Sequence, residues 1–218
     1  MSYVTEKNLS SLARKWITDA VSFTYERDEF KIDIDRCALI VIDMQNYFAS
    51  ESGRSFLPAS RAILPNILSL VDAFRKCGRR VIFTQHGHAS KHDLGILGSF
   101  WGDYIKRGED DGNIVKELEV GEEDAKIFKS RYDAFYKTDL EKILKENNSS
   151  QVVITGVMTH LCCETTARSA FVRDFEVYFC VDATASNCEE LHTGSLRALS
   201  HGVAVPVLTE DVINIFNI

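Results

Sequence analysis

The chain has 218 residues, with 25 Lys+Arg against 32 Asp+Glu for a formal charge of −7, and 45% of it is hydrophobic. That composition suits one domain with a full apolar core and excludes collagenous, low-complexity and disordered classes. An isoelectric point near 5.4, without a clustered Lys/Arg stripe, speaks against nucleic-acid or anionic-membrane surfaces and leaves small molecules or proteins as the expected partners. No apolar run approaches the ~18 residues of a membrane span, and the opening MSYVTEKNLSSLARKW lacks the basic start and apolar stretch of an export signal. Cys37, Cys77, Cys162, Cys163, Cys180 and Cys188 form no CxxC pair, so no disulfide or zinc framework is expected, and the compartment is read as the reducing cytoplasm.

In chain order, residues 1–30 read as a polar, partly helical lead-in. Short β-branched runs then alternate with helical patterns: Cys37 to Ile42, Arg80 to Thr84, Lys126 to Phe128, Val152 to Thr155, Glu176 to Val181 and Val203 to Leu208. Nearly continuous apolar strands of this kind belong to a parallel sheet covered on both faces. Ile63, Leu64, Ile67, Leu68, Val71 and Phe74 share one helical face that Gly78 terminates. Further helices are expected to open at Thr138 to Leu140, to span Glu164 to Arg173, and to run from N-caps at Ser186/Asn187 to near Gly202. The alternation predicts a three-layer α/β/α, Rossmann-like fold around a central, mainly parallel six-stranded sheet, with one domain over 1–218. Ligands then belong at the carboxyl ends of the strands, beside two long loops, Ala49 to Ser60 and the aromatic-bearing Ala89 to Gly112.

Three residues stand where such a sheet builds its chemistry. Asp43 directly follows the first apolar run, as a helix- or turn-capping residue or as an acid/base group; Lys129 follows KIF, as a solvated charge or a site cation. Cys162 sits at or near a helix N-terminus, where unpaired N–H groups and the helix dipole favour thiolate over thiol; the alternative is a buried inert cysteine. Acid, base and thiol at three strand ends form a hydrolase constellation.

The segments ALIVIDMQNYF (Ala38 to Phe48), KSRYDAFYKTDL (Lys129 to Leu140) and TGVMTHLCCETTARSAF (Thr155 to Phe171), followed by VDATAS, resemble the signature blocks of the isochorismatase-like, or cysteine hydrolase, superfamily. The resemblance runs in order from about Ala38 to Val207. It implies a catalytic triad of Asp43, Lys129 and Cys162, and a cis peptide between Val157 and Met158. It also points to hydrolysis of a small amide, carbamoyl or ureido compound through a thioester. In that chemistry Asp43 relays the proton, Lys129 supports the charge, and the N–H groups of Met158 and Cys162 receive the oxyanion. Cys163, one residue on, points ~100° away and is read as a small core residue.

Within the superfamily the signals divide. In nicotinamidases a metal is held by Asp-x-His and a further His in the TQHGHASKH loop, but here His86 takes the Asp position. His86, His88 and His92 could still ligate zinc, but no carboxylate is placed to complete the set, so the expectation is no metal and no cofactor, with His86 a hydrogen-bonding pocket residue and His88 and His92 solvated. GILGSFWGD (Gly95 to Asp103) is similar to the loop whose tryptophan encloses substrate in true isochorismatases, which lack the cysteine that this chain keeps. The expected pocket is closed by Phe48, His86, Trp101, Tyr132 and His160, with Arg131, Arg168 and Arg173 as candidate carboxylate anchors. Vinyl ether hydrolysis by Asp43 and Lys129 alone, and a catalytically silent binding homologue, are the alternative readings. The resemblance also implies a homodimer or homotetramer.

Overall fold

The computed structural model describes residues 2–24 and 29–216. Six strands, β1 (Cys37–Ile42), β2 (Val81–His86), β3 (Ala125–Lys129), β4 (Gln151–Val157), β5 (Glu176–Ala185) and β6 (Val205–Val207), make one sheet in the order β3-β2-β1-β4-β5-β6. Every pairing is parallel, so the sheet goes further than the mainly parallel one expected. β1 is buried at all six positions, as CALIVI demands of a central strand covered on both faces. The chain moves outward from β1 through β2 to β3, then returns to lay β4 on the other flank of β1. That reversal creates the switch point at which ligands of open α/β sheets bind.

The helices are α1 (Glu6–Val21), α2 (Asn46–Ala49), α3 (Pro58–Lys76), α4 (Ile96–Trp101), α5 (Leu140–Glu146), α6 (Glu164–Phe171), α7 (Glu189–Gly202) and α8 (Thr209–Phe216). On α3 the apolar stripe is buried at Ile63, Leu64, Ile67, Val71 and Phe74, and packs on β1, β4 and β5. Burial of each such side chain stabilises the fold by about 1.5–3 kcal/mol.

Several boundaries differ from the sequence reading. The N-terminal segment carries α1, whose Leu9, Ala13, Trp16 and Ala20 are buried and which packs on α7, so within the described residues it is part of the core. Residue 1 and residues 25–28 of that segment lie outside the described residues. β5 continues past Val181 through Asp182 to Ala185, and β2 continues through Gln85 to His86. The N-cap of α7 is Cys188, while Ser186 turns its hydroxyl to His160. The long loop after β2 contains α4.

Candidate active site

Asp43 is the first residue beyond β1 and adopts φ 48°, an uncommon conformation that Asp tolerates better than most residues. Thr84, on the neighbouring β2, holds it twice: the Asp43 N–H donates to Thr84 Oγ1 at 3.2 Å, and the Thr84 hydroxyl donates to Asp43 Oδ1 at 2.6 Å. Lys129 ends β3 and brings its Nζ to within 2.7 Å of Asp43 Oδ2, both side chains being fully buried. The same ammonium lies 3.2 Å from Cys162 Sγ and donates to the Arg131 carbonyl at 3.1 Å.

Cys162 arrives from the other side of the switch point. β4 ends at Val157, the Val157–Met158 peptide is cis, and a π-helical turn, Thr159–Cys163, leads into α6. The Met158 carbonyl ties this turn by accepting the N–H groups of Leu161 at 3.1 Å and Cys163 at 3.2 Å. Gly156 (φ 104°) makes the approach possible, because a Cβ there would overlap the Ile42 carbonyl on β1. Cys163 is buried in the core, as its position in the helix implied.

The charges follow from burial and pairing. Burial alone would raise the Asp43 carboxyl, but Lys129, His86 and Thr84 outweigh it and hold it below the usual carboxylate range. Burial works against the Lys129 ammonium, yet Asp43 and Cys162 keep it protonated beyond its ordinary range. The Cys162 thiol is pushed up to about 12 by burial, with Asp43 adding and Lys129 opposing. The ligand-free site thus rests as carboxylate, ammonium and thiol. Desolvation opposes the thiolate that the helix terminus and the Lys129 ammonium favour.

Cys162 opens onto a cavity of about 430 Å³, with Asp43 and Lys129 buried behind it. Phe48, His86, Trp101, Tyr132 and His160, expected from the sequence, all line it together with Met158. Val157 lies inside β4 and contributes the cis bond, not the wall. Trp101 is fixed at the mouth by its indole N–H, which donates to the Tyr132 hydroxyl at 2.6 Å. Tyr47, Phe56, Leu57, Leu94, Leu97 and Ile105 complete an apolar lining that the sequence reading did not anticipate. Thr84 was also missed, although a threonine closing the apolar run VIFT was a usable signal.

Two expectations need correction, and a third, His86, is met. His88 is not solvated: it is buried, lines the cavity, and places Nδ1 3.0 Å from Asp93 Oδ1, whereas His92 is exposed as expected. His86 lines the cavity at the end of β2 as expected: its ring hydrogen-bonds the Arg131 backbone while Nδ1 has no partner, and burial beside Lys129 lowers its pKa to about 3. Arg131, Arg168 and Arg173 do not reach the cavity. They bind the Asp93 and Ser130 carbonyls, Glu164, and Glu141 respectively.

The residues at the position of the nicotinamidase metal do not fit a three-ligand site. Asp93 occupies one nitrogen of His88, His92 points to solvent, and among the described residues no three His, Cys, Asp or Glu side chains cluster as metal ligands.

Residues 37–211 match the Isochorismatase domain family model. Nicotinamidase 3 of Arabidopsis thaliana is 43% identical over 170 residues, covering 77% of this chain and 82% of that protein. Enterobactin synthase component B of Escherichia coli K12 is 32% identical over 186 residues, covering 85% of this chain and 65% of that protein. The crystal structure of a cysteine hydrolase from Pseudomonas syringae superposes with a TM-score of 0.82 at 24% identity, over 86% of this chain and 95% of that one, and so supports the fold. With its parallel sheet, its switch-point thiol and the family match over most of its length, the chain belongs to the isochorismatase family of hydrolases, as a cysteine hydrolase. Among the described residues no helix is long and apolar enough to cross a membrane.

Proposed function

We propose that the protein hydrolyses a small, uncharged carboxamide of the nicotinamide class to the carboxylate and ammonia, using Asp43, Lys129 and Cys162 as the catalytic triad. The observation that carries the reading is the placement of one buried ammonium 2.7 Å from a carboxylate and 3.2 Å from a thiol at the floor of an apolar cavity. As Cys162 Sγ attacks the amide carbon, its proton passes to Asp43, and Lys129 stabilises the sulfur's developing negative charge. The N–H groups of Met158 and Cys162 receive the oxyanion, a contribution of about 3–4 kcal/mol per donor. Asp43 then protonates the leaving nitrogen, ammonia departs and a thioester remains. Water attacks the thioester as Asp43 takes its proton; collapse expels the sulfur, which recovers a proton from Asp43, and the acid leaves.

Substrate charge supports the nicotinamide class over the other amides considered. No Lys or Arg is among the residues lining the cavity, and its one charged residue, Asp103, is already paired with Arg54 at 2.7 Å. A carboxylate-bearing ureido acid, carbamoyl-amino acid or isochorismate would enter without a cation to receive it. The 43% identity to a protein named nicotinamidase points the same way. Ammonia release from nicotinamide, an N-carbamoyl-amino acid and a ureido acid, beside pyruvate release from isochorismate, tests the reading. Nicotinamide should lead the other amides in kcat/KM by roughly 100-fold, the cost of burying an unpaired charge being several kcal/mol. Faster turnover of any of the anionic compounds would overturn it.

The further expectations belong to the same proposal: a small-molecule substrate, cytoplasmic action and assembly as a homodimer or homotetramer. Ile96 and Phe100 on α4, 76% and 73% exposed, supply apolar surface for such an assembly, and light scattering of the purified protein checks it.

A further inference from the structure

Resting on that reading, we propose that His160 is the specificity-determining residue for substrates whose aromatic ring carries an acceptor nitrogen, and that Ser186 and Tyr3 position it. His160 lines the cavity two residues before Cys162, and its Nδ1 lies 2.9 Å from the Ser186 hydroxyl. Ser186 is fully buried, and among the described residues its hydroxyl has no other partner. A neutral imidazole carries one N–H and one lone pair. Were Nδ1 the protonated nitrogen, the Ser186 hydroxyl would accept from it and leave its own hydrogen buried without an acceptor, a penalty of about 1–3 kcal/mol. The hydroxyl therefore donates to Nδ1, and the His160 proton resides on Nε2, the other nitrogen of a ring that lines the cavity.

The ring beside Cys162 is thus a fixed hydrogen-bond donor in a largely apolar wall. Its opposite number is His88, where the Asp93 carboxylate engages Nδ1 and leaves Nε2 as the acceptor. The donor's orientation is set from outside the family-matched residues 37–211: the Ser186 N–H donates to the Tyr3 hydroxyl at 3.1 Å. The Tyr3 ring also lies tilted against that of His192, centroids 6.2 Å apart, and His192 Nδ1 is 2.9 Å from the hydroxyl of Thr159, the neighbour of His160. The N-terminal segment thereby fixes both residues that open the turn bearing the thiol. A heteroaromatic carboxamide with a ring nitrogen would accept from His160.

The test is kcat/KM for nicotinamide and for benzamide, its counterpart without the ring nitrogen, in the wild type, His160→Phe, Ser186→Ala and Tyr3→Phe. Nicotinamide should be preferred at least tenfold by the wild type. That preference should collapse in His160→Phe and shrink in Ser186→Ala and Tyr3→Phe, a ratio that general loosening of the fold would not move. Neutron diffraction of the wild type, which needs no variant, should place hydrogen on Nε2 of His160. A preference unchanged in His160→Phe, or hydrogen on Nδ1, overturns the inference while leaving the amidase intact. A wild type that hydrolyses neither amide overturns both.

Discussion

The Lys129 ammonium lies 2.7 Å from the Asp43 carboxylate with neither side chain exposed to solvent, so each charge depends on the other for its existence in the interior. Breaking one side of such a pair leaves an uncompensated buried charge, which costs about 3–5 kcal/mol. Asp43→Asn and Lys129→Met should each lose about that much in urea denaturation. The double variant should lose clearly less than the sum of the two, and additive losses would contradict the coupling.

The thiol's pKa of about 12 in the ligand-free site has a kinetic signature. Iodoacetamide labelling of Cys162 should be slow at pH 7 and rise about tenfold per pH unit through pH 9 without levelling. A plateau below pH 8 would mean a resting thiolate. Because Asp43 is held below the ordinary carboxylate range, the acid limb of kcat/KM should lie below pH ~4, with no loss of rate between pH 6 and 8.

Acid should destabilise the fold through two histidines. Desolvation keeps half-buried His86 and fully buried His192 neutral, and their pKa values fall to about 3 against ~6.5 in the unfolded chain. The unfolded state therefore binds more protons below pH 6.5, and stability drops as the pH falls from there toward 3. By pH 5 the loss should reach about 2 kcal/mol per histidine. His192→Phe should flatten the pH dependence of the urea midpoint, and an unchanged slope would show that His192 is protonated in the fold.

Much of this was legible because local pattern and tertiary role agree. CALIVI is apolar at every position and forms the fully buried β1 with the limits its sequence suggests, which places Asp43 at the strand end. Where polar residues occur in buried strands, the pattern misleads: Asp182 hides the continuation of β5, but its carboxylate is satisfied by the N–H and hydroxyl of Thr209 at 2.8 and 2.9 Å. The fully buried side of α1 is Leu9, Ala13, Trp16 and Ala20, flanked by half-buried Leu12 and Ile17 among polar residues, so its burial depends on α7, distant in the chain. How far burial desolvates the Cys162 thiol was illegible for a related reason. A helix terminus can be read locally, whereas desolvation depends on every element that closes over the thiol.

Gly156→Ala should be among the most damaging single-methyl changes available. The added Cβ meets the Ile42 backbone from a positive-φ position, forcing β4 from β1 at the point where Asp43 and the turn bearing Cys162 converge. A fall of more than 5 °C in Tm with loss of amidase activity is expected, about 1 kcal/mol corresponding to 2–4 °C in a chain of this size. Retention of both would mean the strands separate without disturbing the site.

The most direct measurement is ammonia release from nicotinamide by the wild type and by Cys162→Ala, with circular dichroism confirming that the variant folds. If sulfur is the nucleophile, kcat should fall by roughly 10³-fold or more. A folded Cys162→Ala that retains activity within tenfold of the wild type would contradict a thioester route.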